Sequence, residues 1–199
     1  METLILVDPN PDVCDAWREE FDGVRAVQVV HGRFEELPAF DCMVSAANSF
    51  GLMDGGVDLA ITRFFGYELM DRVQARIVRD YLGEQPVGSS MLVPTGHASH
   101  PWLAHTPTMR VPTDIRGTDN VYNAMFAMLR EVERHRREAV SPPIHTVACP
   151  GLGTNYGKVP AREAARQMRV AWQSFADPIT SISWPVADIR NKNARWSGR

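Results

Sequence analysis

Short runs of β-branched and apolar residues alternate along the chain with stretches of helical periodicity, the order that an α/β layer fold imposes. Leu4 to Val7, led by Thr3 and stopped by Asp8 and Pro9, predicts a first strand. Beyond the turn at Pro9 to Pro11, Val13, Trp17 and Phe21 recur at i, i+4 and i+8 among charged residues and predict an amphipathic helix. Val24 to Val30 predicts a second strand, and the nearly continuous apolar run Asp41 to Ala47 a strand covered on both faces. Gly55 and Gly56 then open a helix striped by Val57, Ala60, Ile61, Phe64 and Phe65.

The second half repeats the alternation. Ser89 to Pro94 and Trp102 to Thr106 read as strands, and Val121, Met125, Met128, Leu129 and Val132 mark a long helix entered at Thr118 or Asp119. Ile144 to Cys149 predicts a buried strand that runs into Pro150-Gly151-Leu152-Gly153-Thr154-Asn155-Tyr156-Gly157. Ala164, Met168, Ala171, Trp172 and Phe175 define a further helix behind Pro160. From Asp177 apolar and polar residues alternate through Ile182 and Trp184, which predicts a last edge strand followed by a loose basic end over 185–199. With no repeat and no interdomain linker, one domain over 1–199 is expected.

Composition narrows the function classes. A formal net charge of -3 gives no broad cationic surface for a nucleic-acid backbone to follow. Cys14, Cys42 and Cys149 are far apart and lack CxxC spacing, which suits a reducing, cytoplasmic setting. The N-terminal apolar run is too short for a signal peptide or a membrane span.

Both glycine-rich segments follow a predicted strand and lead into a helix, where open α/β sheets place their ligands. Helix N-termini offer unpaired N–H groups and partial positive charge, and glycine lets the backbone approach an anion, so two such loops can clamp a diphosphate. Neither segment matches the P-loop or the dinucleotide GxGxxG pattern. Asn48 and Asp58 bracket the first glycines. Asn48 can fix sugar hydroxyls or cap a turn; Asp58 can take a proton or simply favour the helix dipole.

The residues VSAANSFGLMDGGVDLAI (Val44 to Ile61) and ACPGLGTNYGKVP (Ala148 to Pro160) resemble the two phosphate-loop segments of macro domains. The likeness runs over residues 28–172 and is strongest to the bacterial and phage branch, with GEQPVG, HTPTMRVP and TDNVYNAM following. It implies a three-layer α/β/α sandwich with a central mixed β-sheet that binds ADP-ribose at the strand ends. By the same resemblance Asn48 contacts the distal ribose, Gly55, Gly56 and Val57 the diphosphate, and Asp58 lies near the scissile bond. Gly151, Leu152, Gly153, Thr154, Asn155 and Tyr156 would cover the phosphates from the other side, and Phe34 can stack on the base.

Three positions depart from the family pattern. Ser45 stands for the first asparagine of VNAAN, Arg33 for the adenine-recognising aspartate, with Glu35 as a substitute if the loop is shifted, and GTNYGK for the usual second loop. The resemblance implies a hydrolase that removes ADP-ribose from modified carboxylates, with Asp58 and Asn48 in the reaction and ADP-ribose or an ADP-ribosylated protein as partner. A noncatalytic ADP-ribose reader and an ADP-ribose 1″-phosphate phosphatase are the alternatives. No cofactor and no metal are expected. His97, His100 and His105 lack zinc spacing, and Pro94, Gly96 and Pro101 mark their stretch as a hydrogen-bonded loop that can lie over the ligand. The mixed charges of Arg130 to Glu138 predict a solvated, ion-paired helix face.

Overall fold

Six strands, β1 (Thr3–Asp8), β2 (Val27–His31), β3 (Cys42–Asn48), β4 (Met91–Pro94), β5 (Trp102–Met109) and β6 (Thr146–Cys149), form one sheet in the order β2-β1-β6-β3-β5-β4. The structure, a computed structural model, describes residues 1–198. All neighbours are parallel except β4, which runs antiparallel to β5 at one edge. The helices are α1 (Pro11–Glu20), α2 (Gly56–Phe65), α3 (Glu68–Tyr81), α4 (Asn120–Arg137), α5 (Ala161–Ala176) and α6 (Trp184–Ala194).

Alternation along each strand divides the core in two. Leu4, Leu6, Cys42, Val44, Ala104, Val147 and Cys149 turn to the face covered by α1, α4 and α5, where Trp17, Met125, Met128 and Met168 pack. Ile5, Val7, Met43, Leu103 and Ala148 turn to the other face, under Ile61 of α2 and Leu69, Val73 and Ile77 of α3. Because both faces are covered, the central strands read as continuous apolar runs rather than alternating ones. The result is the three-layer α/β/α arrangement with a mixed sheet.

Two elements differ from the sequence reading. Helix α3 has no counterpart in it, although Leu69, Val73 and Ile77 repeat at helical spacing and are all buried. Residues 177–183 form no strand, contrary to the edge strand expected there, and α6 (Trp184–Ala194) takes the place of the loose end expected over 185–199; Arg199 lies outside the described residues. Pro185 supports a helix start, since its ring presets φ and its missing N–H costs nothing in the first turn. Arg166, ion-paired at 2.6 Å with the fully buried Glu163, donates to the carbonyls of Asn193 and Arg195 and so caps the end of α6. The predicted charge pairing on α4 is present, with Arg134 between Glu131 and Glu138 and Glu133 between Arg136 and Arg137. No helix among the described residues is long and apolar enough to cross a membrane.

Trp17 is fully buried where α1 meets α5, and its indole N–H donates to the Met168 sulfur at 3.4 Å. Truncating it removes a large apolar surface and leaves a cavity that its neighbours cannot fill. Trp17→Ala should therefore cost about 3–5 kcal/mol in urea unfolding; a loss below about 1 kcal/mol would mean that α1 does not anchor this core.

Candidate functional site

The carboxyl ends of β1, β3 and β6 open onto a cleft of about 510 Å³. Its lining comes from both glycine-rich loops, the end of β1 and the 3-10 turn Phe34–Glu36 that follows β2. Parallel strands deliver their following loops to the same edge of the sheet, which is why segments about a hundred residues apart in the chain meet here.

In the first loop Asn48 is 7% exposed and makes a tight turn with its own side chain. Its Oδ1 accepts from the N–H of Phe50 at 3.1 Å and of Leu52 at 3.3 Å, and its Nδ2 donates to the Leu52 carbonyl at 2.8 Å. The turn-forming reading of Asn48 is thus realised, while one amide N–H remains for the cleft it lines. Helix α2 begins at the second glycine. Gly56 has φ +56°, a left-handed conformation that a side chain would strain, and a methyl group there would sit 3.4 Å from Asn155 Nδ2. The first N–H groups of α2 have no partner within the helix and stand at its positive end.

The second loop closes on the first. Tyr156 lies with its hydroxyl 3.3 Å from where a Gly55 Cβ would be, and Asn155 and Tyr156 together face Gly56. The loop itself is pinned from below: the Gly151 N–H donates to Asp8 Oδ2 at 3.1 Å, and the Val159 N–H to the Gly153 carbonyl at 3.1 Å. Gly157 packs so closely on Gly153 that a Cβ would meet its carbonyl oxygen at 2.5 Å. Gly151, Gly153, Thr154, Asn155 and Tyr156 line the cleft with Gly55, Gly56 and Val57. Leu152 does not: its side chain, the one large apolar group between two glycines, is fully buried in the core shared with α4 and α5.

Asp58, in the first turn of α2, is 5% exposed and lines the cleft. Its Oδ1 accepts a 2.7 Å hydrogen bond from the hydroxyl of Ser45, itself fully buried on β3. Burial pushes the carboxyl up to about 6; the Ser45 bond opposes this and the charge of Asp54 adds to it. The floor beyond is formed by Phe34, which packs edge-on against Phe64 with centroids 5.5 Å apart. Arg33 and Glu35 flank it, and with Asp8, Asp54 and Asp58 they are the charged residues of the lining.

Asp8 and Asp54 are charged lining residues that the sequence reading left without a role, and Ser45, which it noted only as a departure whose hydroxyl could take over from the asparagine at the distal ribose, contacts Asp58 instead. An acidic residue closing the first strand was the only local signal for Asp8, and nothing local links it to Gly151 or Ser45 to a carboxylate thirteen positions on. His97 and His100 lie in a hydrogen-bonded loop, as expected, whereas for His105 the strand reading of Trp102 to Thr106 holds and the loop reading does not. His105 is not in a loop but in the middle of β5, fully buried, with Nδ1 2.6 Å from Gln85 Oε1 and its basicity pushed down to about 3 by burial. His97 and His100 stack on each other, and His100 on Phe40, in the segment before β5, at the opposite end of the sheet. None of the three lines the cleft. Among the described residues no three His, Cys, Asp or Glu side chains are grouped to hold a metal.

Comparison with known proteins adds independent findings. A family model described as "Macro domain" matches residues 44–168. An "Uncharacterized protein" of Aquifex aeolicus is 34% identical over 143 residues, covering 71% of this chain and 78% of its own. An "O-acetyl-ADP-ribose deacetylase" of Salmonella typhimurium is 29% identical over 160 residues, covering 80% of this chain and 82% of its own. Among solved structures, the Oceanobacillus iheyensis macrodomain with ADP superposes with a TM-score of 0.60 at 19% identity, over 81% of this chain and 86% of that one. The macrodomain of Mycobacterium tuberculosis DarG gives 0.58 at 20% identity, over 73% and 89%.

The raised Asp58 carboxyl has a signed consequence for stability. Between pH 4 and 6 the unfolded chain gives up this proton while the folded chain keeps it, so folding loses stability as pH rises through that window. Asp58→Asn keeps an acceptor for Ser45 but cannot ionise. Relative to wild type it should gain about 2–3 kcal/mol between pH 4 and pH 7.5, read by urea unfolding at both values. An equal offset at the two pH values would place Asp58 outside any desolvated site.

Proposed function

The chain belongs to the macro domain family, and from that premise we propose that it binds ADP-ribose in the cleft and hydrolyses the bond joining ADP-ribose to a protein carboxylate. The observation that carries the reading is the placement of Asp58, a desolvated carboxyl beside a clamp of backbone N–H groups. A base poised just below neutral pH is mostly ionised at pH 7 and still basic enough to accept a proton from water.

In this mechanism the first turn of α2 and the second loop hold the diphosphate through N–H groups, with Asn155 and Tyr156 closing over it. The free Asn48 amide N–H takes a hydroxyl of the distal ribose. Asp58 draws a proton from a water as its oxygen bonds to the anomeric or the acyl carbon. The ester C–O bond breaks, and the proton passes to the departing oxygen, leaving ADP-ribose and a free carboxylic acid. Such an ester is already reactive, so orientation by the clamp contributes much of the acceleration.

The deacetylase names of several relatives support ester hydrolysis of this kind. The reader alternative treats Asp58 as structural. Against it stands the Ser45 contact, which keeps an otherwise costly buried carboxylate in the cleft wall.

Titration calorimetry with ADP-ribose beside ADP, AMP and NAD tests the ligand. ADP-ribose should bind in the micromolar range, and Asn48→Ala should weaken it about tenfold to a hundredfold. Release of ADP-ribose from an ADP-ribosylated glutamate peptide tests the reaction, and Asp58→Ala should slow it by about 10²–10⁴. Binding without turnover would make the protein a reader, and phosphate release from ADP-ribose 1″-phosphate alone would make it a phosphatase.

A further inference from the structure

We infer that Ser45 is the positioning residue for Asp58: its buried hydroxyl pins one carboxylate oxygen so that the other is presented to the cleft. The inference rests on the hydrolase reading above for its consequence, but its geometry stands apart from it. An ionised carboxylate only accepts hydrogen bonds, so in the 2.7 Å contact the serine must donate. A serine hydroxyl has one proton, and this one is spent on Asp58 Oδ1. Among the described residues Oδ2 has no hydrogen-bond partner, nor is it an enclosed unpaired atom, so it keeps access to the cleft that Asp58 lines.

The surroundings leave Ser45 alone in this task. Thr62, one turn along α2, is engaged with the carbonyls of Asp58 and Met53. Asp54, on the loop before α2, acts on Asp58 only by repulsion. His105, the register partner of Ser45 on β5, carries no charge to offer: Gln85 Nε2 already donates to Ser89 Oγ and the His105 carbonyl, so Gln85 Oε1 accepts and His105 Nδ1 holds the proton of a neutral ring. Tyr156 faces the glycines from the opposite loop. The residue that departs from the family's asparagine is thus a hydroxyl aimed at the base, with the ligand beyond it.

A hydrogen bond that favours the charged form lowers the pH at which the base becomes active. Its loss should raise the Asp58 titration, and with it the acid limb of kcat, by about one pH unit, or about tenfold less ionised base at a given pH on that limb. The test follows the Asp58 carboxyl carbon by NMR pH titration in the full chain, for wild type, Ser45→Ala and Ser45→Thr, beside calorimetry with ADP-ribose and kcat against pH. The expected result is an upward shift in Ser45→Ala with ADP-ribose binding retained, and a return toward wild type in Ser45→Thr, whose hydroxyl is restored. An unmoved carboxyl titration in a folded, ligand-binding Ser45→Ala would overturn the inference. A shifted titration with no ester hydrolysis in any variant would sustain the role of Ser45 on Asp58 and overturn the hydrolase reading instead.

Discussion

Covering the sheet on both faces is the constraint from which the rest follows. Once helices occupy both sides, each central strand must send apolar side chains both ways, and its backbone groups are satisfied only by neighbouring strands. The sheet's carboxyl edge is then where glycine loops and helix N-termini can gather with free N–H groups. Asp8 reinforces this: closing β1, it accepts the N–H groups of Asn10 and Gly151 and ties the second loop to the strand beside it. The cleft is a by-product of topology before it is a binding site.

The charged lining is mainly acidic, with Asp8, Glu35, Asp54 and Asp58 against Arg33. For a diphosphate ligand that is the wrong sign only if cations do the holding. Backbone dipoles supply the positive potential instead, and they need no long side chains to be ordered. Asp8 is spent on loop geometry, which leaves Asp58 as the desolvated carboxylate at the head of α2. Its burial works against folding, and the Ser45 bond offsets part of that cost. Such local conflicts between stability and environment are characteristic of sites that do chemistry.

Strands and helices with dense apolar patterns were legible from sequence, α3 excepted, and so were the two glycine loops, because local patterning and backbone freedom are properties of neighbouring residues. Boundaries moved by a few positions: β2 runs to His31 and β5 to Met109. The tail was misread because alternation over a handful of residues after Asp177 resembles a strand, while the capping of α6 by Arg166 is supplied by another helix. The loop reading failed at His105 for a related reason. Prolines and a glycine suggested a loop, yet the chain at His105 is inside β5 because β3 and β4 on either side pair with its backbone.

Sequence alone determined the α/β class, the order of strand, glycine loop and helix, and the candidate residues Asn48 and Asp58, since each is written in local spacing. Tertiary structure alone decided which of these groups meet. Ser45 lies thirteen residues before Asp58 and reaches it only because α2 folds back over β3; Asp8 reaches Gly151 only because β1 pairs with β6. Leu152 was separated from its loop neighbours by the same means, drawn into the core by packing that no local pattern records. Contacts between distant segments depend on how layers stack and strands register, and that information is distributed over the whole chain rather than held in any motif.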